Sequence, residues 1–204
     1  MLPDMAIIQG RGNVIAYEPD PQETELLGYR RGDIARTIAE IVAEIDAQNG
    51  TVEPVELGPE AAPVPELRRL ADLYARAVDA GDAGLLTSLV TADVVIAGPG
   101  FRMEGADSIA TIPATLKQFY RKTQHTVTQH LAHVTGDTAI AETYCTANHI
   151  LFPDPEQGDQ VLTWHIRYQD HFVRSGGQWR FSRRGLIVDW MEVRPVFLPV
   201  LPQH

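Results

Sequence analysis

Imidazole is the group around which this sequence can build chemistry. All seven of its histidines, His125, His130, His133, His149, His165, His171 and His204, fall in its second half. A neutral imidazole ionises near a pH of about 6.5, so at working pH it can take a proton and return it. A carboxylate held against one ring nitrogen fixes the tautomer and stabilises the imidazolium formed at the other, while burial opposes that charge. Asp79 lies near the end of a helical stretch. Asp170 and Asp189 lie in the closing strands, where an inward-facing Asp189 would be a competing acid and a solvated or arginine-paired carboxylate is the plainer expectation. His125 and His130, five apart in KTQHTVTQH, fall on opposite faces of a regular strand and cannot chelate one ion. His130, His133, His165 and His171 read as surface or sheet residues. Cys145 is the only cysteine, which excludes an intramolecular disulfide and a metal–thiolate cluster. The sequence has no G-x-S-x-G elbow and no glycine-rich phosphate loop after a strand. Neither a metal nor a cofactor is expected.

The background to these residues is a soluble globular chain. It has 204 residues, 44% of them apolar, and a formal charge of −10, which argues against a phosphate-backbone partner. No apolar run approaches the roughly 20 residues that span a bilayer. The first residues lack the cationic and apolar regions of a secretory signal, so a cytoplasmic home is expected. Residues 1–60 hold twelve acidic against four basic side chains, and residues 61–204 fifteen against thirteen. The change of character coincides with the Pro- and Glu-rich stretch VEPVELGPEAAPVPE. The expected organisation is an acidic extension over 1–62, a domain over 63–195 and a tail over 196–204.

Within the extension, Asp33 offers a helix N-cap, Ile34, Ile38, Ile41 and Ile45 form a stripe at helical spacing, and Asn49-Gly50 a stop. That face must pack on its own domain or on a second subunit. In the domain, Leu67, Leu70, Ala71, Tyr74, Ala77 and Val78 mark a first helix, with Pro65 in its first turn. Asp82 caps a short second helix, and DVVIAG is a strand. Gly105 and Asp107 open a third helix that runs to Tyr120, with a break or late start at Pro113. Strands follow over 124–134, 138–152, 160–174 and 178–193, divided by turns at Gly136, Pro153–Gly158 and Gly176-Gly177.

Strand alternation suggests a lining for a cavity. His125, Val127 and Gln129 share a face if no bulge intervenes. Ala141, Thr143, Cys145, Ala147 and His149 share another, whose small residues leave room for a ligand. Trp164, Ile166 and Tyr168 complete an apolar wall, with Tyr74 and Tyr120 from the helices counted beside them. An apolar cavity with a few polar groups suits a hydrophobic cyclic molecule. Close packing of helices on a curved sheet would need the same small residues, and Cys145 reads equally as a small buried hydrophobe.

The stretches YARAVDAGDAGLLTSLV, TADVV, TQHTVTQHLAHVTGDTAIAETY and RYQDHFVRSGGQWRFSRRGLIVDW resemble, in order and spacing, the SnoaL-like group of the nuclear transport factor 2-like superfamily. The resemblance covers about residues 63–193. It implies an α+β fold: a cone-shaped α+β barrel with three N-terminal helices packed on a curved antiparallel sheet. Relatives include scytalone dehydratase, ketosteroid isomerase, polyketide cyclases, limonene epoxide hydrolase and the non-catalytic β-subunit of ring-hydroxylating dioxygenases, so the fold alone does not fix the function. By this resemblance Asp79 and His125 occupy the positions of a proton-transfer dyad, and His149 that of a second pocket histidine. The tyrosines that position water in scytalone dehydratase are replaced here by Val78 and a small residue near Gly98. Its pocket Ser and Asn positions fall on Ile166 and Tyr168. The resemblance thus implies a cofactor-independent lyase or isomerase, dehydratase- or cyclase-like, in which Asp79 orients His125. His149 or Tyr168 would assist the substrate oxygen, unless His149 is structural, and a homodimer or higher homo-oligomer is expected. The alternative is a non-catalytic ligand-binding or assembly module, such as a dioxygenase β-type subunit.

Overall fold

The computed structural model describes residues 52–153, 155 and 158–198. The acidic stretch before residue 52, with its expected isoleucine-striped helix, lies outside the described residues.

Helix α1 spans Pro65–Ala80 and buries Leu67, Ala71, Tyr74, Ala77 and Val78, the face that the apolar spacing marks. Gly81 ends it at a φ of 74°, a conformation that glycine adopts without a Cβ clash. The Asp82 carboxylate then accepts from the Leu85 N–H at 2.8 Å and starts α2, Ala83–Ser88. Strand β1, Val90–Gly98, turns into β2, Phe101–Glu104. The expected third helix is two helices, α3 over Ala106–Ile109 and α4 over Ile112–Phe119, with Pro113 in the first turn of α4. Strands β3, Lys122–Thr135, β4, Thr138–Ile150, β5, Gln160–Ser175, and β6, Gln178–Pro195, complete the chain.

The six strands form one sheet in the order β2-β1-β6-β5-β4-β3. The expectation of a wholly antiparallel sheet is corrected here, because β1 runs parallel to β6. Parallel neighbours need a long crossover, and everything from β2 to β5 supplies it. The architecture is α+β, with a mixed sheet and four helices among the described residues.

The helices cover one face, where Leu67, Tyr74, Ile96, Ile109, Phe172 and Phe181 form the core. Residues 52–62 cross the other. Val52 sits on Gly185 of β6. The Val55 N–H donates to Gln169 Oε1 of β5 at 2.8 Å, and Glu60 lies 3.4 Å from His133 of β3. Ala62 then pairs with Ala132 at the free edge of β3. The stretch that composition marks as a linker is thus a strap across the sheet, and its edge pairing covers strand groups that would otherwise stand open.

A Cβ at Gly185 would collide with the Val52 side chain. Gly185→Ala is therefore expected to cost about 1–3 kcal/mol of stability by overpacking, and adding Val52→Ala should recover part of that loss. Chemical denaturation of the two variants checks it. A Gly185→Ala variant as stable as the parent would contradict the seating of the strap.

Candidate functional site

The C-terminus of α1 meets the start of β3, and the meeting is made by one carboxylate. Asp79 Oδ1 accepts from the Thr123 hydroxyl at 2.8 Å and lies 2.7 Å from His125 Nδ1. Asp79 Oδ2 accepts from the His125 backbone N–H at 2.8 Å. A negative charge is disfavoured at a helix C-terminus, so these donors decide whether the carboxylate stays ionised. Burial pushes Asp79 up, but the hydrogen bonds from the His125 ring, the His125 amide and Thr123 outweigh it, and Asp79 is held below the usual carboxylate range. An ionised Asp79 can only accept, so His125 Nδ1 carries the ring proton. Nε2 of the neutral ring is left as a lone pair, with no hydrogen bond among the described residues. The His125 side chain is 8% exposed and stands in the wall of a cavity of about 290 Å³.

Next to it, His149 reaches into the same cavity from β4. Its ring stands edge-on to His125 at 5.8 Å between centroids and also touches Tyr120 and Trp164. His149 Nδ1 lies 3.3 Å from the Leu162 carbonyl. A carbonyl only accepts, so Nδ1 bears the proton there too. Burial, with the nearby His125, lowers the His149 pKa to about 4, so the ring is neutral above that pH and its Nε2 is an acceptor. In this tautomer Nε2 can accept from a substrate O–H.

Tyr74, Tyr120, Ala147, Trp164, Ile166 and Tyr168 also line this cavity, whereas the expected Val127, Gln129, Ala141, Thr143 and Cys145 do not. The register of β3 against β4 slips between Val127 and His130, so one extra residue bulges from β3. The slip leaves Gln129 exposed instead of lining the cavity. Cys145 is buried behind the wall against Ile166 and Tyr168, where burial raises its thiol to about 11. The bulge also overturns the reading that places His130 on the face opposite His125. His130 turns inward, is buried, and lies 2.8 Å from the Thr143 hydroxyl. Arg68 of α1 supports the bulge by donating to the Val127 and Thr128 carbonyls. Asp189 is bound by Arg167 on the sheet's other face, which removes it as a competing acid.

Sequence reasoning missed the cavity wall built by Ile96, Phe101, Met103, Leu116, Phe119 and Leu186. It also missed Thr123, although T-x-H alternation places Thr123 on His125's face. A larger omission is the floor. Arg184 is 1% exposed and donates twice to Asp170, at 2.7 Å each. Its guanidinium lies 3.9 Å from the Tyr168 ring, 4.2 Å from Tyr74 and 4.3 Å from Phe181. Burial opposes the Arg184 charge, but Asp170 more than offsets it and holds the side chain protonated.

Comparison with known proteins agrees with the architecture. The SnoaL-like domain family matches residues 60–185. The chain belongs to that family. Among solved structures it is similar to the LinA-type3 hexachlorocyclohexane dehydrochlorinase of Novosphingobium barchaimii LL02, with 17% identity, 67% of this chain and 93% of that one covered, and a TM-score of 0.58. A scytalone dehydratase candidate from Novosphingobium aromaticivorans DSM 12444 shares 21% identity over 66% of this chain and 87% of that one, with a TM-score of 0.54. Rv3472 of Mycobacterium tuberculosis, of unknown function, shares 21% identity over 61% of this chain and 70% of its own, at 0.53. At such identities the likeness concerns the fold. Sequence comparison with curated proteins gave no significant match. No helix among the described residues is long and apolar enough to cross a membrane.

His149 yields a pH prediction. Its folded pKa of about 4 lies below the ordinary histidine value of 6.5. Between the two the unfolded chain binds the extra proton, so stability is full above about pH 6.5, falls as pH drops through the window and levels off below about pH 4. The span corresponds to roughly 3 kcal/mol. His149→Gln, measured by denaturation across that range, should flatten the slope; an unchanged slope would contradict a buried neutral His149.

Proposed function

We propose that the protein is a cofactor-independent lyase or isomerase whose base is His125, oriented by Asp79, acting on a neutral, hydrophobic cyclic substrate. The observation that carries this reading is the clamp on Asp79. Three donors fix the carboxylate, the carboxylate fixes the His125 tautomer, and the remaining lone pair faces an apolar cavity. Known activities in the family, such as the dehydrochlorinase's elimination, agree with a lyase-type role.

His125 Nε2 takes the proton from a carbon next to a carbonyl, and the C–H electron pair becomes an enolate. Asp79 stabilises the imidazolium formed. In elimination, the enolate reforms the carbonyl as the bond to a β-hydroxyl breaks, and the imidazolium proton leaves with that hydroxyl as water. In isomerisation, the same proton returns at a different carbon. His149 Nε2 is suited to accept from a substrate hydroxyl and orient it. Among the cavity-lining residues no lysine, arginine, aspartate or glutamate appears, which favours an uncharged ligand.

Cyclic β-hydroxy ketones are the compounds to try. The native chain should dehydrate one of them, and His125→Gln or Asp79→Asn should lower turnover by about 10²- to 10⁴-fold, the usual contribution of a positioned base. Circular dichroism would establish that both variants fold. Folded variants that turn over as fast as the parent would overturn the proposal.

A further inference from the structure

Removing a proton next to a carbonyl builds negative charge on the carbonyl oxygen, and that oxygen needs a donor close to where the charge develops. The cavity offers few. His149 spends its N–H on Leu162. The Thr115 hydroxyl donates to the Thr111 carbonyl at 3.0 Å. The Trp164 indole N–H has no partner, but it is out of contact with solvent. Tyr74 and Tyr168 belong to the floor around Arg184. Tyr168 lies four residues along β5 from Trp164, which shares a rung with Ala147 and His125. That spacing is about 13 Å of strand.

Tyr120 remains. It lines the cavity, its ring packs on His149 at 4.5 Å between centroids, and its hydroxyl makes no hydrogen bond among the described residues. The backbone holds it firmly. The Tyr120 N–H donates to Leu116 at the end of α4, and the next amide, of Arg121, donates to Ile150 of β4, both at 2.8 Å. Burial raises the phenol above its ordinary value, so the hydroxyl stays a donor through the neutral range.

We infer that the Tyr120 hydroxyl is the group that holds and polarises the substrate's carbonyl oxygen, with the oxygen seated on the Tyr120–His149 side of the cavity. The inference rests on the proposal that His125 is the base and adds its electrophilic half. It also gives the free end of α4 a task, because that helix terminus sets the position of the donor.

A carbonyl stretching frequency reads such a hydrogen bond without turnover. The probe is 2-cyclohexen-1-one, observed by infrared difference spectroscopy against saturating protein. The bound carbonyl band should shift to lower wavenumber in the parent, persist in His125→Gln, and be lost in Tyr120→Phe, which keeps the ring on His149. With 3-fluorotyrosine at position 120, a stronger acid of nearly the same shape, the band should shift further. Turnover of the dehydrated β-hydroxy ketone should fall by about 10²- to 10³-fold in Tyr120→Phe. No shifted band in the parent, a band unmoved by both changes at position 120, or a band lost in Tyr168→Phe instead would overturn the inference. If the base reading alone is wrong, His125→Gln keeps full turnover while the Tyr120-dependent band shift remains.

Discussion

A cation inside an apolar core organises this molecule. Arg184 and Asp170 are both out of contact with solvent, and removing two charges from water costs several kcal/mol for each ion unless geometry and further partners offset it. Here the offset comes from two short hydrogen bonds and from three aromatic faces around the guanidinium, each worth about 0.5–2 kcal/mol. Those partners come from α1, β5 and β6. Satisfying one buried charge thus fixes how the first helix lies on the sheet. Thr143 of β4, which contacts both Asp170 and His130 of β3, extends the same polar line across the sheet.

The Asp79–His125 pair inherits that placement. Tyr74 and Asp79 share one helix, so a helix docked by Tyr74 over Arg184 delivers Asp79 to the start of β3. At that point the carboxylate faces an unfavourable helix dipole, and the three donors from Thr123 and His125 resolve the conflict. The His125 ring is therefore oriented by the folded core, and Asp79 sets its tautomer. His149, neutral and tied to Leu162, adds no competing positive charge beside it.

Much of this was legible in the residues. Apolar spacing gave α1 its buried face and Asp82 its capping role, and strand composition gave β3 to β6 with their turns. The order of loose motifs pointed to the family, and with it to Asp79, His125 and His149 as neighbours. Three features were hidden for physical reasons. A bulge has no reliable signature, and the one after Val127 moved Gln129 out of the cavity and turned His130 in. A buried arginine looks like a surface one when the strand pattern FSRRG is read without its partner, because Asp170 is fourteen residues away. The parallel pairing of β1 with β6 and the strap of residues 52–62 are contacts between distant segments, which local periodicity does not encode.

The central claim is that His125 removes a proton from carbon next to a carbonyl. Hydrogen–deuterium exchange measures that step whether the reaction ends in elimination or isomerisation. A cyclic ketone lacking any leaving group, incubated with the protein in heavy water, should acquire deuterium at its α-carbon by NMR. Exchange should be catalysed by the parent chain, fall sharply in Asp79→Asn and return to the uncatalysed rate in His125→Gln. Exchange that persists in His125→Gln, or is absent from the parent chain, would contradict the account.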